Sequence, residues 1–89
     1  MQTNFLLGEL KITEPARFKL KRLPYDLICR HAINEHGDIT SRERKANEHS
    51  MQTLGPIISR YKADPTDPTT KHVVIRTLAT WSETVVDLE

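Results

Sequence analysis

The apolar positions of this chain recur at two spacings, which divide it into short helices and short strands. Residues 4–12 are mainly apolar and interrupted by Gly8, which favours a strand with a bend. Thr13 followed by Pro15 is typical of a helix start, with threonine as N-cap and proline in the first turn. Residues 17–23 fit both a helix and a strand, because their apolar side chains match both spacings.

An apolar stripe predicts a helix over residues 24–36, opened by Pro24. Gly37 stands where a glycine would end this helix. His31 falls outside the stripe and is predicted to be exposed, whereas His36 in the last turn would interact favourably with the helix dipole when charged. The members of the stripe, at steps of three and four, are Tyr25, Ile28, Cys29, Ala32, Ile33 and His36.

The polar run 36–49 contains a strong helix start. Thr40 and Glu43 have the spacing of a capping box, in which the threonine hydroxyl and the glutamate carboxylate each accept from a backbone amide of the other residue. We therefore predict a helix over residues 41–49. It buries little beyond Ala46, so its neighbours must hold it in place.

A second apolar stripe, formed by Met51, Leu54, Ile57 or Ile58, and Tyr61, predicts a helix over residues 54–62 after a turn at 50–53. Pro56 would cost about 3 kcal/mol deep inside a helix. With Thr53 as N-cap, however, Pro56 is the third helical residue, whose amide has no intrahelical acceptor.

The C-terminal third predicts a loop and a hairpin. Residues 64–70 contain two prolines and no large apolar side chain, which indicates a stiff loop. The β-branched segments 73–78 and 84–88 are expected to pair as antiparallel strands, with Trp81 as a core or hairpin anchor or as an interface residue. A short terminal helix capped by Ser82 is the alternative for the last segment.

Composition limits the class of protein. A chain of 89 residues makes one domain, here divided into an N-terminal strand and basic segment (1–23), a helical core (24–62) and a loop with a hairpin (63–89). Hydrophobic residues are 37%, and no apolar run exceeds three residues, so no membrane span is expected. The single cysteine, Cys29, is interpreted as a reduced core residue. We therefore expect a cytoplasmic protein.

Charge and chemistry favour binding over catalysis. The net charge is only +1, but residues 17–62 carry an excess of five cations. Such an excess is typical of a nucleic-acid-binding surface or of an ordinary solvated one. The four histidines and one cysteine lack the spacing of a zinc site, and there is no glycine-rich phosphate loop or nucleophile elbow. We expect no enzyme activity, no metal and no cofactor.

The predicted order of elements resembles a winged helix-turn-helix domain over about residues 24 to 80. The motifs HGDITSRE (36–43) and TLGPIISRYK (53–62) resemble the entry to the second helix and the recognition helix of winged regulators, including small repressors of the multiple-antibiotic-resistance type. The segment 64–78 is similar to their wing. This resemblance implies an α+β fold of three short helices with a small antiparallel sheet, built from the N-terminal strand and the C-terminal hairpin.

The resemblance also implies a function, that of a small transcriptional regulator that binds double-stranded DNA. The alternative is an accessory module that docks on a larger protein; a homodimer through residues 1–23 or the hairpin is a further expectation. The basic strip Arg17, Lys19, Lys21 and Arg22 could add phosphate contacts or discourage strand pairing. The expected DNA-binding residues are Arg42, Arg44 and Lys45 near the backbone, Gln52, Thr53 and Ser59 at the major groove, Arg60 and Lys62 flanking or following the recognition helix, and Lys71 and Arg76 in the wing.

Overall fold

The computed structural model describes residues 4–20 and 22–89, so Lys21 of the basic strip lies outside the described residues. The described part is α+β, as the sequence predicts, and a short helical turn (Ala79–Trp81) connects its last two strands. The elements in chain order are β1 (Glu9–Ile12), α1 (Glu14–Leu20), α2 (Tyr25–Ala32), α3 (Ser41–Thr53), β2 (Ile57–Lys62), β3 (His72–Thr77) and β4 (Glu83–Leu88).

The four strands form one mixed sheet in the order β1-β4-β3-β2. The predicted hairpin is confirmed, because β3 and β4 pair antiparallel, with Ile75 opposite Val86. The alternative terminal helix is therefore wrong. The expectation of a purely antiparallel sheet is also wrong, since β1 runs parallel to β4. The Thr13 hydroxyl donates to the Asp87 carboxylate at 2.8 Å, which fixes the exit of β1 against β4.

One face of the sheet carries the core. Alternate residues of β2, β3 and β4 point towards α1 and α2, as the two-residue period of a strand requires. Ile28 of α2 is buried against this face, and Leu20 of α1 packs against the same cluster. The buried sheet residues of the cluster are Tyr61, Val73, Ile75 and Val86.

The predicted helix over residues 54–62 is wrong. Leu54 adopts a left-handed conformation (φ 57°) that ends α3 at Thr53, so residues 50–53 are helical and not a turn. Residues 57–62 form β2, which pairs antiparallel with β3. Apolar side chains at 57 and 61 satisfy a strand as well as a helix, and the β-branched isoleucines and Tyr61 favour the strand once β3 is there to pair with.

The helix predicted over residues 24–36 is shorter than expected, because α2 ends at Ala32. Gly37 has a positive φ of 71° but does not end the helix. It lies instead against the edge of β2, where the Asp38 amide donates to the Arg60 carbonyl at 2.7 Å and the Arg60 amide donates to the His36 carbonyl at 3.0 Å. A Cβ at Gly37 would lie 2.2 Å from the Arg60 carbonyl oxygen, so only glycine permits this approach.

The prediction that His31 is exposed is also wrong, since its side chain is completely buried. The buried face of α2 consists of Ile28, His31 and Ala32, which keep helical spacing among themselves. The helix is thus turned relative to the predicted stripe, and Tyr25 and Ile33 are exposed. Cys29 is half-buried.

The β2–β3 connection matches the loop that the sequence predicts. The Asp64 carboxylate accepts from the amide and the hydroxyl of Thr66, and Asp67 does the same with Thr69. These local bonds keep the turn compact without apolar side chains. Among the described residues, no helix is both long and apolar enough to cross a membrane.

Candidate nucleic-acid interface

Helix α3 begins as the sequence predicts. The Thr40 hydroxyl accepts from the Glu43 amide at 3.1 Å, and the Glu43 carboxylate accepts from the Thr40 amide at 3.0 Å. This capping box satisfies two amides that a helix start otherwise leaves without partners. The helix continues to Thr53, four residues beyond the predicted end.

Polar contacts, and not apolar packing, hold α3 beside the sheet. The Asn47 side-chain amide donates to the Ile58 carbonyl at 2.9 Å and its carbonyl accepts from the Ile58 amide at 3.0 Å. Asn47 thus occupies the place of a further strand at the edge of β2. Asn47 and Ser50 are the residues of α3 that are buried. The contacts of α3 with the rest of the fold are mainly with β2.

Replacing Asn47 with alanine is expected to lower the free energy of unfolding by about 1–3 kcal/mol, because the Ile58 amide and carbonyl both lose their partner in a partly buried position. Urea denaturation followed by circular dichroism measures the change. The neighbouring exposed residue supplies the control, Glu48→Ala, which should change stability by less than about 0.5 kcal/mol. Equal effects of the two substitutions would contradict the role of Asn47.

Arg60 belongs to the fold and not to the free surface. Its guanidinium donates to the Glu43 carboxylate, with Nη2 3.0 Å from Oε2, and also contacts the Glu89 carboxylate. The hydrogen bonds from Arg60 hold the pKa of Glu43 below its usual range. The side chain of Arg60 is 23% exposed, and its charge is already matched. It therefore ties the first turn of α3 to β2.

The other expected binding residues of the strands have separate positions. Ser59 is completely buried on the core side of β2 and cannot reach a DNA base. Arg76 lies on the opposite sheet face, with Nη1 3.8 Å from the Asp87 carboxylate. Lys62 and Lys71 are exposed at the two ends of the β2–β3 loop, where the Ala63 amide donates to the Lys71 carbonyl at 3.0 Å.

The structure brings together the expected binding residues of α3. Among the described residues, Arg42, Arg44 and Lys45 are exposed and have no ion-pair partner. Gln52 and Thr53 are also exposed, and the Thr53 hydroxyl donates to the His49 carbonyl at 3.2 Å. Steps of three and four residues place one set of side chains on the face directed away from β2. This outward face of α3 consists of Arg42, Lys45, His49 and Gln52.

A chain of hydrogen bonds, called the relay below, crosses the core and ends beside α3. Sequence reasoning missed it. Each member contacts the next through one polar atom, and all the contacts lie between 2.6 and 2.9 Å. In order, the members are His36, Ser59, His31, Thr77, Thr84 and the Leu7 carbonyl. The sequence feature that could have indicated it is the three-residue step from Ile28 to His31, which places the histidine on the buried face of α2.

The direction of the three bonds nearest the Leu7 carbonyl follows from that last acceptor. A carbonyl oxygen can only accept, so the Thr84 hydroxyl donates to Leu7. That hydroxyl has a single proton and must therefore accept from Thr77. The Thr77 proton is then committed as well, so Thr77 accepts from the Nε2–H of His31.

The charge state of His31 determines the remaining bonds. Burial lowers the pKa of His31 to about 3, so its ring is neutral at pH 7 and carries one proton, on Nε2. Its Nδ1 therefore accepts from the Ser59 hydroxyl. The Ser59 oxygen in turn accepts from the Nδ1–H of His36. Only this arrangement gives each hydrogen bond of the relay one donor and one acceptor.

The second ring nitrogen of His36, Nε2, remains as a hydrogen-bond acceptor outside the relay. Burial and the nearby Arg44 cation lower the pKa of His36, which favours the neutral ring. With Nδ1 protonated, Nε2 carries the free electron pair, and it makes no hydrogen bond among the described residues. His36 lies at a cavity of about 150 Å³ beside α3, which Asn34, Arg44, Asn47, Glu48 and Met51 also line.

These features describe a surface in which a polar helix is held by its inner side and presents exposed cations on its outer side. Comparison of the chain with protein-family models, curated proteins and solved structures gives no match, so what the surface does must be inferred from its own geometry.

Proposed function

We propose that this protein is a small non-enzymatic DNA-binding regulator that presents α3, and not residues 54–62, to double-stranded DNA. The observation that carries the proposal is the outward face of α3, where Arg42 and Lys45 have no ion-pair partner within residues 4–20 and 22–89, while the inner side is anchored through Asn47 and Glu43. A rigid helix with free cations can contact phosphates, and the major groove admits an α-helix.

The order of elements supports the same proposal. A strand, β2, follows α3 after three residues, and the β2–β3 hairpin then carries Lys62 and Lys71 at the base of an exposed loop. A presented helix followed by a hairpin is the arrangement of a winged domain, with this loop as the wing. In this assignment Arg42, Arg44 and Lys45 contact phosphates and Gln52 is the candidate for a base contact.

Charge reversal on α3 tests the proposal. The variant Arg42→Glu/Lys45→Glu should bind a labelled DNA duplex at least about tenfold more weakly than the unchanged protein, and its affinity should depend less steeply on salt, because two phosphate contacts are lost. Fluorescence anisotropy at several salt concentrations measures both quantities.

The matched control reverses two exposed cations of α1, Arg17→Glu/Lys19→Glu, which changes the net charge equally. This control should retain most of the affinity. The proposal is wrong if the unchanged protein does not bind duplex DNA at low salt, or if both double variants lose affinity equally, since net charge alone would then account for binding.

A protein-binding module is the second candidate, and one feature favours it. An apolar groove of about 230 Å³ lies between α3 and the sheet, with Ala46, Pro56, Ile58 and Leu78 among its lining residues. A partner held there would resist salt, because apolar burial does not depend on counterion release. Binding of a protein that persists at high salt, together with no binding of DNA, would favour this candidate.

A further inference from the structure

The geometry points to a second copy of this chain as the partner of β1: we infer a symmetric dimer in which two β1 strands pair antiparallel and join two sheets into one. This inference does not rest on the proposed function. It rests on the open edge of β1, on the alternation of charge along it and on the apolar side chains beside it.

The β1 edge opposite β4 has unused backbone groups. The Glu9 amide donates to the Ser82 carbonyl at 3.0 Å and the Thr13 amide donates to the Val86 carbonyl at 2.9 Å. Because alternate residues of a strand direct their backbone groups to opposite sides, Leu10 and Ile12 direct theirs away from β4. Within residues 4–20 and 22–89, no other segment bonds to these groups.

The other edge of the sheet is closed, which makes the open edge informative. At β2 the backbone groups of Ile58 bond to Asn47, and those of Arg60 bond to the segment around Gly37. The fold thus blocks strand addition at β2 and leaves β1 available. Natural sheets commonly cover or block their edges, so an open one is a candidate for pairing with another chain.

Symmetry and charge select one register. In an antiparallel pair related by a two-fold axis, one residue must lie opposite its own copy. Placing Leu10 opposite Leu10 uses its free backbone groups and sets Glu9 of each copy opposite Lys11 of the other. Moving the axis to Lys11 would set two lysines opposite each other, which is unfavourable.

The surroundings of the edge agree with this pairing. Lys11 already lies 3.0 Å from the Glu83 carboxylate, so a partner's Glu9 would extend an existing row of alternating charges on this face. Leu10 and Phe18 are 36% and 86% exposed, and Leu6 is 68% exposed. Such apolar area in the N-terminal segment gives a partner strand something to cover.

Charge swapping tests the register. Sedimentation equilibrium of the full chain should show a monomer–dimer equilibrium. Glu9→Lys and Lys11→Glu should each weaken the dimer by roughly tenfold, because each places like charges opposite each other twice. The double variant Glu9→Lys/Lys11→Glu should restore it, since each pair is then opposite in charge again.

A variant of the edge itself keeps the test decisive if Lys11→Glu disturbs the contact with Glu83. Leu10→Pro removes an amide that points away from β4, so the β1–β4 bonds remain while pairing with a second copy is lost. Circular dichroism confirms that the variant is folded. A chain that stays monomeric at high concentration, or a Leu10→Pro variant that dimerises like the unchanged protein, would overturn the inference; single swaps without effect would overturn the register.

Discussion

Replacing His31 with alanine is expected to lower the free energy of unfolding by about 3–5 kcal/mol. The substitution removes a completely buried ring that packs edge-on against Phe5 at 5.2 Å, which leaves a cavity. It also deprives the Ser59 proton of its acceptor and the Thr77 oxygen of its donor, both in the buried relay. Urea denaturation measures the change.

Two measurements test whether the loss of stability comes from the buried position of His31 and from its hydrogen bonds. His49→Ala removes an exposed histidine and should change stability by less than about 0.5 kcal/mol. In the unchanged protein, ¹⁵N chemical shifts should identify the proton of His31 on Nε2 and that of His36 on Nδ1, as the direction of the relay requires. A His31→Ala variant that loses less than about 1 kcal/mol, or a His31 protonated on Nδ1, would contradict this account.

The protein is expected to lose stability steeply as the pH falls from about 6.5 towards 3. The pKa of His31 is about 3 in the fold, against 6.5 in the unfolded chain. Between these values the unfolded chain binds a proton that the folded protein does not, so acid favours unfolding; above 6.5 the contribution of His31 is fully present. It amounts to roughly 5 kcal/mol over the whole window.

Two groups near His31 also contribute to the loss of stability in acid: His36 acts in the same pH range, and Glu43 acts at lower pH. Burial and Arg44 lower the pKa of His36, so it also favours unfolding in acid. The Glu43 carboxylate has a lowered pKa and loses its contact with Arg60 only in stronger acid. Urea denaturation between pH 7 and pH 5 therefore isolates the histidines. A His31→Gln variant should show a shallower slope there, and equal slopes would contradict the role of His31.

Local interactions made several elements predictable. The capping box of α3 and the helix start at Thr13 depend on side chains that bond to nearby backbone amides, so their spacing is sufficient information. The loop after β2 is similar, because its aspartates and threonines bond within two or three residues. The β3–β4 hairpin was predictable because its two strands are close in the chain and rich in β-branched residues.

Contacts between distant segments accounted for the errors. His31 was predicted to be exposed because the stripe was judged on apolar residues alone, whereas its polar partners lie 28 and 46 residues away on β2 and β3. The candidate site followed the same pattern: the cations of α3 were named from the sequence, but Arg60 and Ser59 were named with them. Only the fold shows that Arg60 is matched by acids and that Ser59 belongs to the relay.

The sequence by itself determined that residues 64–70 form a loop, where α3 begins and which residues of α3 supply its cations, because each depends on groups a few residues apart. Only the tertiary structure decided that residues 57–62 are a strand, that α3 is held at the edge of β2 through Asn47 and that β1 pairs in parallel with β4. The physical reason is that Ile57 and Tyr61 suit either secondary structure, and pairing with β3 across a nine-residue loop selects between them.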